Sequence, residues 1–247
     1  MSPADPLFVL VAGEASGDTL GAGLIDELRA RYPAARFVGV TGPRMRAAGC
    51  ESLADIEALS LFGISEVIGQ IPRLLRLRNR LYREILNMQP AVVVGIDAPA
   101  FNTRLETRLR RAGLRTVHYV CPTVWAWREG RVRHIRAAVD RLLAIFPFEP
   151  AFFARHGIEA VYVGHPLADE LPVYPDAAAA RAALDLAAAG PLVGLLPGSR
   201  GAEVSRLADR LIATARWIAA RRPGVRFVVP AASPRMQRLI EATIEMQ

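Results

Sequence analysis

The sequence predicts a doubly wound α/β protein, a parallel-sheet domain followed by the start of a second one. Strand-length apolar runs alternate with segments of helical spacing, several of those runs end in Gly-, Asp- or Pro-containing turns, and the alternation breaks once and restarts. The runs are Leu7–Ala12, Phe37–Val40, Val92–Ile96, Thr116–Val120, Leu142–Ile145 and Val161–Val163, with helical spacing over Leu20–Arg31, Leu74–Met88 and Thr103–Ala112. Near-continuous apolar strands separated by helices read as βαβ units with both sheet faces covered. The break is "PLADELPVYP", Pro166 to Pro175, after which Leu192–Leu196, Ala202–Arg221 and Phe227–Val229 begin a new unit. The expected boundaries are therefore 1–165 for the first domain, 166–178 for a linker and 179–247 for the second. Two strands bury little, so the second domain is expected to be incomplete, with the helix near Ser233–Glu245 short of a packing partner.

A chain of 247 residues that is 52% hydrophobic, with mean hydropathy +0.21, can fill a core. Its longest apolar stretches, such as Ala91–Ile96 and Leu192–Leu196, fall short of the roughly 20 residues needed to cross a bilayer, and no basic-then-apolar leader opens it. A cytosolic protein is expected. Cys50 and Cys121 lack metal-ligand spacing and read as reduced thiols, so no metal is expected, and no cofactor is expected either. The net charge of +7 comes from arginine alone. Absence of lysine excludes a P-loop and a Schiff-base enzyme, and the excess of arginine reads either as compositional bias or as attraction to anions.

The first strand runs into "AGEASGD", Ala12 to Asp18, whose glycines do not follow the dinucleotide pattern G-x-G-x-x-G. Ser16 or Asp18 could cap the following helix, while Glu14 stands where doubly wound sheets bind ligands, beyond a strand's carboxyl end. Further on, Ile64, Val67, Ile68, Leu74 and Leu75 fall within about 60° of Ile71 on a helical wheel, with Arg73, Arg76, Arg80 and Arg83 opposite. Pro72 is expected to kink or restart that helix. The apolar face fits either packing on the sheet or an anionic bilayer interface.

"VVVGIDAPAFN" ends an apolar strand in Asp97, too far ahead of the next helix to cap it; Asn102 reads as that cap. Asp97 could accept a proton from a substrate hydroxyl or pin loop amides. In "HYVCPTVWAWREGR", Tyr119, Trp125 and Trp127 are either loop core or an apolar platform for a sugar ring or acyl chain. His165, in "VGHPL", is a crevice residue or a turn histidine. "LLPGSRGAEV" places a Gly-rich turn between strand and helix, where the amides of Gly198 and Ser199 and the guanidinium of Arg200 could hold a phosphate and Ser199 could cap the helix.

Taken in order, "VAGEASGD", "FVGVTGPRM", "VGIDAPAFN", "HYVCPTVWAW", "FPFEPAFF", "VGHPLAD" and "LLPGSRGAEV" resemble the lipid-A-disaccharide synthases, nearly end to end. The resemblance implies a GT-B glycosyltransferase made of two Rossmann-like domains, of which the C-terminal part would be missing here. It implies inverting transfer of 2,3-diacylglucosamine from its UDP derivative to 2,3-diacylglucosamine 1-phosphate, giving the β-1,6-linked disaccharide 1-phosphate of lipid A and UDP. Asp97 matches the family's proposed base. Gly198, Ser199, Arg200 and Glu203 match its donor-phosphate motif, and Glu14, Ser16, Gly17 and Asp18 match a loop near the interdomain cleft. Asn102, Tyr119, Trp125, Trp127 and His165 are assigned to the acceptor side. Ile64, Val67, Ile68, Ile71, Leu74 and Leu75 match a membrane-contact patch, which implies a cytoplasmic protein held peripherally at the inner face of the cytoplasmic membrane. A homodimer stays open, and nucleic acid is not expected. Ala100 stands where family members commonly carry Asp. Two other readings remain: an inactive acceptor- or membrane-binding fragment, and a UDP-N-acetylglucosamine 2-epimerase-like enzyme, which shares the two-domain plan.

Overall fold

Val9, Leu10, Val11 and Ala12 have almost no solvent exposure, which requires helices on both faces of the strand that carries them. A computed structural model of the chain describes residues 5–60, 67–126, 129–186 and 189–246, without the side chains of residues 60 and 67–70. The chain divides into two compact units, one ending at Leu171 and one running on from Pro172.

In the first unit, β1 (Leu7–Ala12), α1 (Ala15–Arg31), β2 (Arg36–Thr41), α2 (Pro43–Ala47), β3 (Glu51–Asp55), α3 (Glu57–Ser60) and α4 (Val67–Met88) lead to β4 (Val92–Ile96). There follow α5 (Pro99–Arg111), β5 (Thr116–Tyr119), α6 (Val132–Ala138), β6 (Arg141–Ala144), α7 (Glu149–Ala154), β7 (Ala160–Tyr162) and α8 (Leu167–Glu170). All seven strands pair in parallel, in the order β3-β2-β1-β4-β5-β6-β7. The order reverses between β1 and β4, paired from Phe8 opposite Val92 to Ala12 opposite Ile96. That reversal opens a crevice at the carboxyl ends of those strands. The main core lies around β1, β2 and β4, closed by Leu20 and Ile25 of α1, Leu81 and Ile85 of α4, and Leu105 and Leu109 of α5. A smaller cluster around Leu142, Ile135 and Phe153 closes the β6 side.

Three sequence expectations change. β3 escaped notice because an edge strand reading "ESLAD", mostly exposed, offers no apolar run. α4 begins at Val67 and continues through Pro72, which stands in its second turn. α5 begins at Pro99, whose lost N–H costs nothing at that position, so Asn102 lies inside the helix and does not cap it.

The second unit holds α9 (Ala177–Ala183), capped by the Asp176 carboxylate, then β8 (Leu192–Gly194), α10 (Gly201–Arg221), β9 (Arg226–Val228) and α11 (Pro234–Glu245). β8 and β9 pair in parallel, and Val204, Ala208 and Ile212 of α10 meet Met236 and Ile240 of α11. Trp217 on the other face of α10 stays exposed beneath the stacked Arg221 guanidinium.

Candidate active site

Strands β1 and β4 deliver their loops side by side at the point where strand order reverses. A Cβ on Gly13 would lie 2.1 Å from the Cβ of Ala98, so only glycine lets the two loops approach this closely. Asp97 and Ala98 both adopt left-handed backbone, with φ of +52° and +44°. Two consecutive non-glycine residues in that region are costly and persist only where surroundings enforce them. Here the enforcement is visible. The Asp97 amide donates to the Tyr119 carbonyl at 2.9 Å, and Asn102 Nδ2 reaches the carbonyls of Val11, Ile96 and Asp97 at 3.1, 3.3 and 2.9 Å. Asn102, fully buried, thus ties the ends of β1 and β4 together from within α5. The Asp97 carboxylate is half-buried and accepts no hydrogen bond among the described residues, so it does not serve to pin the loop amides.

The neighbouring loop separates into exposed and internal residues. Ser16 is exposed, Glu14 half-buried, and the N-cap position of α1 is Glu14, so neither Ser16 nor Asp18 caps that helix. Asp18 is buried, and its carboxylate accepts from the amides of Gly42, Arg44 and Met45 at 2.8–3.0 Å, which fixes the turn into α2. Gly17 is buried against Ala12 and Ile96. Asp18 and Gly17 therefore shape the site from below and are not open to a ligand.

Of the expected aromatic platform, Tyr119 is core, and burial pushes its hydroxyl above the usual range. Trp127 lies outside the described residues. Trp125 is 38% exposed and stands edge-on to Phe148, which stacks on Phe146. Beneath it the Trp125 indole donates to Glu149 at 3.3 Å, and burial raises that carboxyl despite this bond and one from the Phe146 amide. His165 is a turn residue, its Nδ1 accepting from the Leu167 amide. Both cysteines are buried free thiols whose burial pushes them up, Cys50 to about 12.

In the second unit, the turn after β8 has an occupant of its own. The amides of Ser199 and Arg200 donate to Glu203 Oε2 at 3.1 and 3.2 Å, and the Arg200 guanidinium meets Oε1 at 3.2 Å. The N-cap position is Arg200, not Ser199. The Glu203 carboxylate thus occupies the amides of its own turn, and the backbone bond from Arg200 holds its carboxyl below the usual range.

A family model described as lipid-A-disaccharide synthetase matches residues 8–247. The chain belongs to the lipid-A-disaccharide synthetase family. The lipid-A-disaccharide synthase of Pseudomonas aeruginosa (strain UCBPP-PA14) is 53% identical over 98% of this chain, and that of Xanthomonas euvesicatoria pv. vesicatoria (strain 85-10) 47% identical over 95%. The chain spans 64% and 54% of those relatives' lengths. Among solved structures, UDP-GlcNAc 2-epimerase from Neisseria meningitidis bound to UDP-GlcNAc matches 97% of the chain and 69% of its own, with a TM-score of 0.63 at 11% identity. The glycotransferase of kitacinnamycin matches 92% of the chain and 66% of its own, at 0.52 and 15%. At such identities these two show the fold alone.

In this member of the synthetase family, the stretch expected to meet a membrane falls partly outside the described residues: Ile64 entirely, Val67 and Ile68 in their side chains. Ile71 and Leu75 are 45% and 40% exposed, whereas Leu74 packs against the core and leaves the outward face. No helix among the described residues is long and apolar enough to cross a membrane. Sequence reasoning also missed a buried pair below the Asp97 turn, His118 Nδ1 and Glu106 Oε1 at 2.7 Å. The available signal was a lone glycine, Gly95, within the apolar run "VVVGI", which marks close approach by another group.

Proposed function

We propose that the chain carries the acceptor-side base and the donor-phosphate turn of an inverting transferase that moves 2,3-diacylglucosamine from its UDP derivative to 2,3-diacylglucosamine 1-phosphate. The observation that carries this reading is the Asp97 carboxylate, unpartnered among the described residues on a left-handed turn at the β1–β4 reversal. Asp97 takes the proton of the acceptor 6-hydroxyl as its oxygen bonds to the donor's anomeric carbon. The bond from that carbon to the UDP oxygen breaks, and the electron pair leaves with the diphosphate. Arg200 and the amides of Ser199 and Arg200 receive the diphosphate once Glu203 yields its place. One displacement inverts the anomeric centre and needs no covalent intermediate.

Ile71 and Leu75 suit an acyl or bilayer surface, and on another flank of α4 Arg73, Arg76 and Arg80 line a hollow of about 310 Å³ that suits anionic headgroups. This supports a peripheral place on the cytoplasmic face of the membrane.

UDP release, measured with both diacylglucosamine substrates in detergent, tests the reading. Asp97→Asn should lower turnover by about 10²- to 10⁴-fold, the range of a lost general base, with the fold intact. Unchanged turnover in that variant would remove Asp97 from the mechanism. A second reading, a binding fragment, draws on the two-stranded sheet of the second unit and on the share of its relatives that the chain spans. Acceptor retained on vesicles without any UDP release would favour it.

A further inference from the structure

Beneath the Asp97 turn, α5 and β5 place three buried polar side chains in one column: Asn102, then Glu106 one helical turn later, then His118 across the sheet. Their burial is 0%, 1% and 0% exposed, which no surface role would require. A buried carboxylate beside an imidazole is costly, and the 2.7 Å Nδ1···Oε1 contact offsets only part of that cost, because Glu106 Oε2 and His118 Nε2 have no hydrogen-bond partner among the described residues. Gly95 makes room for the pair. A Cβ there would stand 2.0 Å from Glu106 Oε1 and 3.1 Å from the Cβ of Asn102, while Gly95 is itself the β4 residue paired with His118. Glu106 thus occupies the space a β4 side chain would fill. It locks α5 in rotation and height against β4 and β5, and with α5 it locks Asn102. Asn102 in turn holds the carbonyls of Val11, Ile96 and Asp97.

We propose that Glu106 and His118 are positioning residues: through Asn102 they hold Asp97 and Ala98 in their left-handed turn and so aim the Asp97 carboxylate, without touching substrate. The inference rests on the reading of Asp97 as the base. The pair is conspicuous because an apolar Leu–Phe contact of similar shape would fill the same space at no polar cost. What such a contact lacks is a fixed distance and direction, which a hydrogen bond supplies.

The test compares Glu106→Ala, Glu106→Gln and the double variant Glu106→Leu/His118→Phe, which fills the space without polar atoms and guards against a mere failure to fold. The readouts are the amide NMR shifts of Asp97 and Ala98 and the kinetics of UDP release. In Glu106→Ala and in the double variant, both amide signals should move and kcat should fall about 10- to 100-fold, with KM for the acceptor changed less than threefold. Glu106→Gln, which can still bond His118, should keep the parent amide shifts and lie within threefold of parent kcat. Folded variants with unmoved Asp97 and Ala98 signals would overturn the proposal, as would equal losses in Glu106→Gln and Glu106→Ala. If the parent itself releases no UDP, the reading of Asp97 as the base fails for this chain. The amide shifts then decide the positioning role alone.

Discussion

Two strand-to-helix turns carry the proposed chemistry, and they store their readiness in opposite ways. At Asp97–Ala98 the backbone is strained and the proposed base lacks a partner among the described residues, because Asn102 spends its amide on carbonyls and leaves the acid alone. At Ser199–Arg200 the anion-binding amides are already filled, by the Glu203 carboxylate four and three residues on. The first turn is held in place by a neighbour and, on the proposed reading, accepts a proton. The second is held closed by its own anion, which on the proposed reading a diphosphate displaces. A rigid base and an exchangeable anion site are what a single displacement asks of its two ends.

Removing the guanidinium bears most heavily on the second turn. Arg200→Ala should weaken UDP binding about 10- to 100-fold by calorimetry, the cost of a lost charge-assisted bond; an unchanged affinity would take the diphosphate away from this turn. Glu203→Gln removes the competing anion and should tighten UDP a few-fold while weakening the helix cap. The Glu203 carboxyl is held low by the Arg200 amide, so its stabilising share is complete above about pH 4.5 and drains away as pH falls through its folded value. Melting curves of Glu203→Gln should therefore converge on the parent's below that range; a constant gap at every pH would show that the carboxylate is not what closes the turn. The smallest effect concerns the first turn. Ala98→Gly exchanges a left-handed cost of about 1–2 kcal/mol for about 0.5–1 kcal/mol of added chain entropy, and should raise the melting temperature by about 1–4 °C. A lower melting temperature would mean that Ala98 contributes packing that outweighs its strain.

The reach of the sequence differs between these turns for physical reasons. Apolar periodicity located β1, β4 and β5 and, through them, Asp97, because buried parallel strands leave an unbroken run that stops where the site begins. Periodicity is silent about polar groups folded inward. Asp18 looked like a local cap and instead binds three amides more than twenty residues away. Glu203 looked like part of a phosphate motif, and in the fold its carboxylate accepts from the amides of that same turn. Asn102 looked like the start of a helix that begins three residues earlier, at Pro99. For Asp18 and Asn102 the error assigned a side chain to its nearest backbone, whereas the folded chain offered it a partner from another strand or loop; for Glu203 the partner was its own turn.

Helix α4 reaches β4 through only Gln89, Pro90 and Ala91. A crossover between parallel strands must return the chain to its starting end, so α4 runs against β4. Its opening turns, with Ile71 and Leu75 uncovered, therefore point toward the carboxyl edge of the sheet, the edge that carries Asp97. On the proposed reading, a bilayer that takes up Ile71 and Leu75 would face the same edge of the sheet as the proposed base, and the chain path alone would set that side.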